Sequence, residues 1–446
     1  MRVSRPDGST VHVAYCTNVH PATQLDGIVE QLRTVAVPVA ERLGLRADGE
    51  RLGVGLWFPA GAARVLDADL AAGAPAGGPV RRLREELDRL GLEVVTLNAF
   101  PYGDFHAPVV KHAVYSPDWT EPARLEHTLA CARVLAALLP DDVAGGAVST
   151  LPLAWYRPWD DARRAAAGRA LGALARGLGD LERRSGRRVR VGLEPEPGCV
   201  WEVLDDALAG PDALPALLAG GPDDEPPPAD DAGLVGVCLD TCHSAVGFDD
   251  LDDLVGRLTD RPAGRPRVPV VKLQASAALH LEDPADDGDR AELAAFDEPR
   301  FLHQVRERRA DGSLATADDL PRALREPAHG GLPRLSPWRC HVHAPLHADW
   351  EGPVRPVTAP LTSALHGLVR DAPPAVRVDV VEVETYTWSV LPAAHRERSG
   401  GTGTSAADLV GGIAAELAWT RDRLQEPPAP ASTRAGAGAD AAGAGA

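Results

Sequence analysis

Side chains that can hold a metal or move a proton follow the hydrophobic runs of this sequence, where each run ends. The clearest case is the run at 235–239, which leads into Asp240 and His243. Residues of the same kinds follow other runs, namely Asn98, Glu194, Glu196, Lys272, Gln274, His341, His343, Glu382 and Glu384. Carboxylates, imidazoles and amides brought together suit a divalent cation such as Mn²⁺, Zn²⁺, Co²⁺ or Mg²⁺. The residue types therefore predict a metal site, provided that the fold brings the ends of these runs together.

Each of these residues has a plainer explanation when it is taken alone. Asp240 after a strand is most often a helix N-cap, and His20 and His106 are predicted in loops that could border a site. Lys272 lies within an apolar Val-Val-Lys-Leu run, which favours a side chain that points into the interior. Other histidines are expected at the surface: His12, His112, His280, His303, His329, His366 and His395. These separate explanations do not account for the whole set, because several independent strands would have to end in ligand-type residues by chance.

The elements that must position these residues alternate between strands and helices. Strands are predicted at 11–20, 52–58, 93–100, 147–153, 189–194, 235–243, 268–276 and 376–385, with a further strand-like run at 338–343. Helices are predicted between them, including 22–44, 121–139 and 159–185. Eight strand–helix repeats predict a TIM (β/α)8 barrel, in which the strand ends meet at one mouth. An open doubly wound parallel sheet is the alternative.

The domain organisation predicted from the sequence is a single barrel over residues 1–424. A polar stretch at 279–335 is expected as an insertion between the seventh and eighth strands, with helical fragments near 298–308 and 317–325. The Ala/Gly/Pro-rich tail at 425–446 is predicted to be disordered, because it has almost no large side chains to bury.

Charge and hydropathy narrow the class of partner. The formal net charge of −18 argues against a protein that wraps nucleic acid, which needs a basic surface. The N-terminal stretch has no apolar signal region, and no stretch reaches 18 apolar residues, so we expect a cytoplasmic protein without membrane insertion. The six cysteines form no C-x-x-C pair and are expected to be reduced.

The segment at 239–249, Leu-Asp-Thr-Cys-His-Ser-Ala-Val-Gly-Phe-Asp, resembles the corresponding segment of endonuclease IV and of the wider xylose isomerase-like TIM barrels. The resemblance implies that Glu194, Asp240 and Glu384 are metal ligands and that His243 is a ligand or a substrate contact. The chain departs from this family at the seventh strand, where Lys272 stands in place of a metal-binding histidine. Gln274 or a histidine of the His341/His343 pair is then the candidate replacement.

The order of motifs along nearly the whole chain is similar to that of the metabolite-traffic proteins of ebo-type bacterial gene clusters (EboE). The motifs are Tyr15-Cys-Thr-Asn-Val-His20, Asn98-Ala-Phe-Pro-Tyr-Gly103, Leu193-Glu-Pro-Glu-Pro-Gly198, Leu239-Asp-Thr-Cys-His243, Lys272-Leu-Gln-Ala-Ser276, His341-Val-His343 and Glu384-Thr-Tyr-Thr-Trp388. This similarity implies a barrel that handles a small metabolite bound for prenylation or export. A membrane-protein partner in the same pathway would be consistent with it.

The predicted chemistry is isomerisation or epimerisation of a small polyhydroxylated metabolite. Glu194 and Glu384 are the candidate general acid and base, and Lys272 is the candidate to neutralise an oxyanion. Metal ligands are sought among Glu194, Asp240, His243, His341, His343 and Glu384. Substrate contacts are sought among His20, Asn98, His106, Glu196, Gln274 and Trp388, with Trp57, Phe58, Tyr102, Trp155 and Trp388 as walls. A non-enzymatic metabolite carrier and an endonuclease IV-like phosphodiesterase are the two alternatives.

Overall fold

The strands of the protein form two sheets. The computed structural model describes residues 1–221, 224–259, 268–399 and 406–426. Its strands are β1 (Arg2–Ser4), β2 (Thr10–Cys16), β3 (Leu52–Trp57), β4 (Leu92–Asn98), β5 (Gly145–Thr150), β6 (Arg188–Leu193), β7 (Val235–Asp240), β8 (Val270–Ala275), β9 (Ala278–Leu281), β10 (Val305–Arg308), β11 (Leu314–Ala317), β12 (Trp338–Cys340), β13 (Val354–Val357) and β14 (Val380–Val383).

Eight of these strands close into a parallel barrel. They are paired in the order β2, β14, β8, β7, β6, β5, β4 and β3, and β3 pairs with β2 to complete the ring. The pairings around the ring are parallel, and β1 pairs antiparallel with Thr10–His12 at the start of β2. The predicted TIM barrel is therefore confirmed, and the open doubly wound sheet is excluded.

Helices connect the strands. They are α1 (Leu25–Gln31), α2 (Val37–Arg42), α3 (Ala60–Ala71), α4 (Pro79–Leu90), α5 (Pro122–Leu138), α6 (Asp161–Ser185), α7 (Leu204–Leu208), α8 (Leu214–Ala219), α9 (Ala229–Ala232), α10 (Thr241–Val246), α11 (Leu251–Thr259), α12 (Asp287–Ala294), α13 (Leu320–Ala323), α14 (Ala359–Ala364), α15 (Ala393–Arg398) and α16 (Ala406–Gln425). Within the described ranges, no helix is both long enough and apolar enough to cross a bilayer.

Helix α6 shows how the sequence sets these elements. The Asp160 side chain accepts a hydrogen bond from the Arg163 backbone N–H (2.9 Å), which caps the first turn. Gly186 ends the helix in the left-handed conformation, with φ of 68°. One face buries Leu171, Leu174 and other apolar residues against the barrel, so the capped helix covers the outside of the strands.

The second sheet is antiparallel and is inserted between the last two barrel strands. Its order is β11, β10, β12, β9 and β13, so it uses residues on both sides of the polar stretch 279–335. The expectation of a helix near 298–308 is wrong, because β10 and β11 form a hairpin there with Asp311–Gly312 in its loop. Gly312 has a φ of 85°, which glycine adopts readily. The predicted tail lies, from residue 427 onward, outside the described residues.

Candidate metal centre

Three buried carboxylates meet at the carboxyl end of the barrel. Glu194 follows β6 directly, Asp240 is the last residue of β7, and Glu384 follows β14. Because these strands run in the same direction, their ends converge, and one carboxylate oxygen from each lies within 4.8 Å of the others. All three residues are buried.

The three carboxylates lack a positive partner. Neither a lysine nor an arginine forms an ion pair with any of them in the described part of the chain. Burial, together with the neighbouring negative charges, raises the pKa of both Glu194 and Glu384 well above the ordinary value. Glu194 Oε2 and Asp240 Oδ2 are buried without a hydrogen-bond partner. A cation bound among these oxygens would satisfy both the charge and the unpaired atoms.

Asp240 is both a helix cap and a member of this cluster. Its Oδ1 accepts hydrogen bonds from the His243 backbone N–H (2.9 Å) and from the Ser276 hydroxyl (2.7 Å). Its Oδ2 is the unpaired oxygen and lies 4.0 Å from His343 Nε2. Oδ1 therefore caps helix α10, whereas Oδ2 is the oxygen that is left for a cation.

Glu384 is held in place by two amides. Its Oε1 accepts from Asn18 Nδ2 (2.8 Å) and from Asn98 Nδ2 (3.2 Å). Both amide groups donate to the same oxygen, which fixes the position of this carboxyl group. Glu384 is consequently more fixed than Glu194, whose Oε2 is free.

Two imidazoles in the mouth have their tautomers set by backbone carbonyls. His243 Nδ1 lies 2.9 Å from the Pro195 carbonyl oxygen, and His343 Nδ1 lies 2.7 Å from the Glu384 carbonyl oxygen. Since a carbonyl oxygen only accepts, each Nδ1 carries the proton. Each Nε2 then presents a lone pair, in the arrangement found in metal-binding histidines.

The tautomer of His341 is set in the same way, but by Gln304 instead of a backbone carbonyl. Its Nδ1 lies 2.7 Å from Gln304 Oε1, and the amide orientation is fixed because Gln304 Nε2 donates to the Pro197 carbonyl oxygen (2.9 Å). His341 Nε2 faces His243 Nε2 at 3.2 Å. Burial lowers the pKa of His243 to about 4 and that of His341 well below its ordinary value, so neither nitrogen carries a proton at neutral pH. Two lone pairs at this distance are compatible with a cation bound between them.

Glu196 borders the imidazoles on the other side. Its Oε1 accepts from the Tyr115 hydroxyl (2.7 Å) and from Gln304 Nε2 (3.3 Å), and it lies 3.6 Å from His341 Nδ1. Burial raises the pKa of Glu196 to about 8. Glu194 therefore lies with the carboxylates Asp240 and Glu384, whereas Glu196 lies with the imidazoles His243 and His341.

A cover of aromatic side chains closes the mouth. Phe105, Phe301 and Tyr386 contact one another, with ring centroids 4.9 to 5.2 Å apart. The covering segments are joined where the backbone N–H groups of Val110 and Lys111 donate to the Arg300 carbonyl oxygen. The cavity beneath has a volume of about 60 Å³, well below the roughly 300–1,000 Å³ of ordinary ligand pockets.

A buried ion pair lies deeper in the barrel. Lys272 Nζ is 2.5 Å from Glu382 Oε2 and 3.0 Å from Ser149 Oγ, and both charged side chains are fully buried. Burial opposes the ammonium charge, but the adjacent Glu382 raises the pKa of Lys272 above its ordinary value. Gly55 makes room for the pair, because a Cβ there would lie 1.4 Å from Glu382 Oε1.

Several residues predicted to contact substrate lie away from the cavity. His20 Nε2 is 3.2 Å from the Tyr15 hydroxyl, His106 Nε2 bonds the Asn18 carbonyl oxygen (2.6 Å), and Trp388 Nε1 donates to Glu416. Asn98 and Glu196 do border it. The aromatic residues that line the cavity are Phe100, Phe105, Tyr115, Phe301 and Tyr386, and none of the five predicted wall residues is among them.

Other residues of the site have no sequence signal of their own. Gln304 and Tyr115 orient His341 and Glu196 from segments without a motif. His303 and His395 were expected at the surface but are buried, because His303 Nδ1 bonds the His341 carbonyl oxygen and His395 packs between two aromatic rings. All six cysteines are free and buried, and Cys242 lies beside His341 and His343.

Comparison with known proteins gives similarity of fold only. No protein-family model and no curated protein matches the chain. Solved structures similar to it include a xylose isomerase domain protein from Alicyclobacillus acidocaldarius (16% identity, TM-score 0.40, 93% of this chain and 100% of that one). They also include a D-psicose 3-epimerase (13%, 0.43, 93% and 100%) and an AP endonuclease of family 2 from Brucella melitensis (18%, 0.31, 59% and 78%). The resemblance to ebo-type proteins stays a prediction.

Proposed function

We propose that this protein is a divalent-metal-dependent enzyme that moves a carbon-bound proton of a small polyhydroxylated metabolite, as an isomerase or epimerase does. The observation that carries the proposal is the cluster of Glu194, Asp240 and Glu384, buried and without a lysine or arginine partner in the described residues. Buried carboxylates in this arrangement suit a divalent cation.

The donor set fits such a cation. Glu194, Asp240 and Glu384 would supply oxygens, and His243, His341 and His343 would supply nitrogens. Orphaned buried atoms at Glu194, Asp240 and His343 support this assignment. A bound divalent cation would polarise neighbouring hydroxyl and carbonyl oxygens of a substrate, which lowers the barrier to removal of a carbon-bound proton.

The two glutamates are proposed as the acid–base pair. Glu194 has a free Oε2 and is the better proton acceptor, whereas Glu384 is fixed by two amide donors. Different environments for two carboxyl groups favour different roles in proton transfer. Lys272 is paired with Glu382, and we propose that it acts on the site through its charge rather than by contact with the substrate.

A sugar-sized substrate requires the cover to open. The cavity of about 60 Å³ is closed by the contacts among Phe105, Phe301 and Tyr386. Asn98 and Glu196 border the cavity and are proposed as substrate contacts once the cover is open.

Solvent exchange tests the proposal directly. The protein is loaded with Mn²⁺, Co²⁺, Zn²⁺ or Mg²⁺ and incubated with a panel of ketoses and aldoses in D₂O. We expect deuterium to appear at the carbon beside the carbonyl with wild type and not with Glu194→Gln or Glu384→Gln. Binding of a panel member without deuterium incorporation would favour a carrier instead.

A second candidate is a metal-dependent phosphodiesterase of the endonuclease IV kind, which three Nε2 atoms facing one mouth favour. The net charge of −18 disfavours a nucleic-acid substrate. Cleavage of abasic-site DNA that is lost in His243→Ala would support this candidate over the first.

We propose further that the metabolite belongs to an ebo-type traffic pathway in the cytoplasm, with a membrane-protein partner. The order of motifs along the chain supports this placement. Nucleic acid is not expected as a partner.

A further inference from the structure

Another cavity lies at the amino end of the barrel, opposite the metal centre. Its walls include residues near the starts of barrel strands, among them His12 of β2, Gly145 of β5, Val270 of β8 and Val380 of β14. Its volume is about 470 Å³, which falls within the roughly 300–1,000 Å³ of ordinary ligand pockets. This amino-end cavity is therefore large enough for a small molecule, whereas the cavity beneath the aromatic cover has a volume of only about 60 Å³.

Arg190 lines the amino-end cavity and has no partner. It is the third residue of β6 and precedes Glu194 by four residues, so the two side chains lie on the same side of the strand, about 13 Å apart along it. Among the described residues, no acceptor bonds to its guanidinium and no carboxylate forms an ion pair with it. Burial lowers the pKa of Arg190, although a guanidinium keeps its charge at neutral pH. The wall therefore holds a partly buried positive charge that the described chain does not neutralise.

The acids of the cavity wall already have arginine partners of their own. Asp379 Oδ1 accepts hydrogen bonds from Arg5 Nη2 (2.9 Å) and from Arg377 Nε (3.2 Å). Asp142 Oδ1 accepts from Arg2 Nη2 (3.1 Å). Neither acid is thus free to neutralise the nearby guanidinium.

The side chains of the wall define the chemistry of a ligand. The wall's Arg188 is paired with Glu182 (3.1 Å), so Arg190 is the wall arginine left without a partner in the described part of the chain. A guanidinium binds a carboxylate through two parallel hydrogen bonds. Aliphatic side chains, including Leu258 and Leu368, form much of the remaining wall and suit an apolar body.

We infer that the amino-end cavity binds a small organic carboxylate, with the carboxylate group on Arg190 and an aliphatic body against Leu258 and Leu368. One uncompensated guanidinium matches one negative charge. Helix α6 ends at Ser185, three residues before Arg188, and the negative end of its dipole disfavours a doubly charged phosphate group here. The site is separate from the metal centre and does not rest on the reaction proposed there.

Calorimetric titration with hexanoate tests the inference. Full-length protein is titrated with hexanoate, with the neutral hexanamide and with inorganic phosphate, each before and after treatment with a chelator. We expect hexanoate to bind with the same affinity in both states, and hexanamide and phosphate to bind about tenfold more weakly or less. Phosphate that binds as tightly as hexanoate would overturn the ligand class. Absence of hexanoate binding, or binding that is lost with the chelator, would overturn the site.

Variants locate the bound carboxylate. Arg190→Gln should weaken hexanoate binding about tenfold, whereas Arg184→Gln, which removes an exposed arginine of α6, should bind hexanoate as wild type does. Ala375→Trp narrows the cavity from its exposed rim without a change of charge, so it should weaken binding of hexanoate more than that of acetate. Circular dichroism checks that each variant is folded. Unchanged hexanoate binding in either Arg190→Gln or Ala375→Trp would overturn the inference.

Discussion

Two sets of buried charge lie one above the other in this barrel, and only one of them is balanced by the protein. In the lower set, Lys272 and Glu382 neutralise each other at 2.5 Å with both side chains fully buried. In the upper set, Glu194, Asp240 and Glu384 converge without a lysine or arginine partner among the described residues. The lower set is therefore neutralised within the chain, whereas the upper set is the one for which we propose a bound cation.

The largest expected effect on stability comes from removing the lysine of the lower pair. Lys272→Met leaves Glu382 buried and uncompensated, so we expect the free energy of unfolding to fall by about 3–5 kcal/mol. The matched control is Lys111→Met, whose partly exposed pair with Asp319 should contribute less than about 1 kcal/mol. Urea denaturation measures both. A Lys272→Met/Glu382→Gln variant should recover part of the loss, and equal effects of the two single lysine variants would argue against the distinction.

Metal binding to the upper set should change the free energy of unfolding. Metal-free protein should gain stability when a divalent cation is added, by about 2.7 kcal/mol at a hundredfold excess over Kd, because the cation binds only the folded chain. Thermal unfolding with and without Mn²⁺ measures this gain. The Lys111→Met variant should respond as wild type does. If no cation tested stabilises the wild type, the proposed cation site at the upper cluster is contradicted.

Gly55 tests the space that the lower pair needs. A Cβ at this position would lie 1.4 Å from Glu382 Oε1, so Gly55→Ala should cost about 1–3 kcal/mol of unfolding free energy. Gly61 lies on the exposed side of α3 with nothing within 4 Å, and Gly61→Ala should be neutral or slightly stabilising. Chemical denaturation of the two variants in parallel gives the comparison. If Gly55→Ala does not lower the free energy of unfolding, Glu382 can move without loss of stability.

Removing a charge from the upper cluster should stabilise the metal-free protein, whereas removing Lys272 should destabilise it. Glu194→Gln is expected to stabilise the metal-free protein by about 0.5–2 kcal/mol at pH 8. The raised pKa of Glu194 means that the folded chain holds this proton more tightly than the unfolded chain does. That stability is fully present below the ordinary carboxyl pKa and is lost as the pH rises. The difference between variant and wild type should therefore grow from pH 5 to pH 8, and a difference independent of pH would contradict the assignment.

Much of this centre could be predicted because its acids stand at the ends of their own strands. Glu194, Asp240 and Glu384 follow apolar runs of strand length, and a closed parallel barrel brings such ends together. His341 and His343 lie beside these acids, but they follow β12 of the inserted sheet rather than a barrel strand. Strand pairing in that sheet joins segments far apart in sequence, which local patterns do not encode.

The supporting residues were beyond sequence reasoning for the same reason. Gln304 reaches His341 and the Pro197 carbonyl oxygen only because the inserted sheet folds over the mouth. The role of Lys272 depended on Glu382, two residues before the predicted ligand Glu384, and on the space left by Gly55. Pairings across a barrel of this kind appear only once the ring is closed.

The most direct test of the central claim is the metal content of wild type and of Asp240→Asn after gel filtration. Asparagine keeps the helix cap and removes the charge, so the variant should fold normally. Wild type should retain at least one divalent cation per chain, and Asp240→Asn should lose most of the cation held by Glu194, Asp240 and Glu384. Equal metal content in the two proteins, or none in either, would contradict the account.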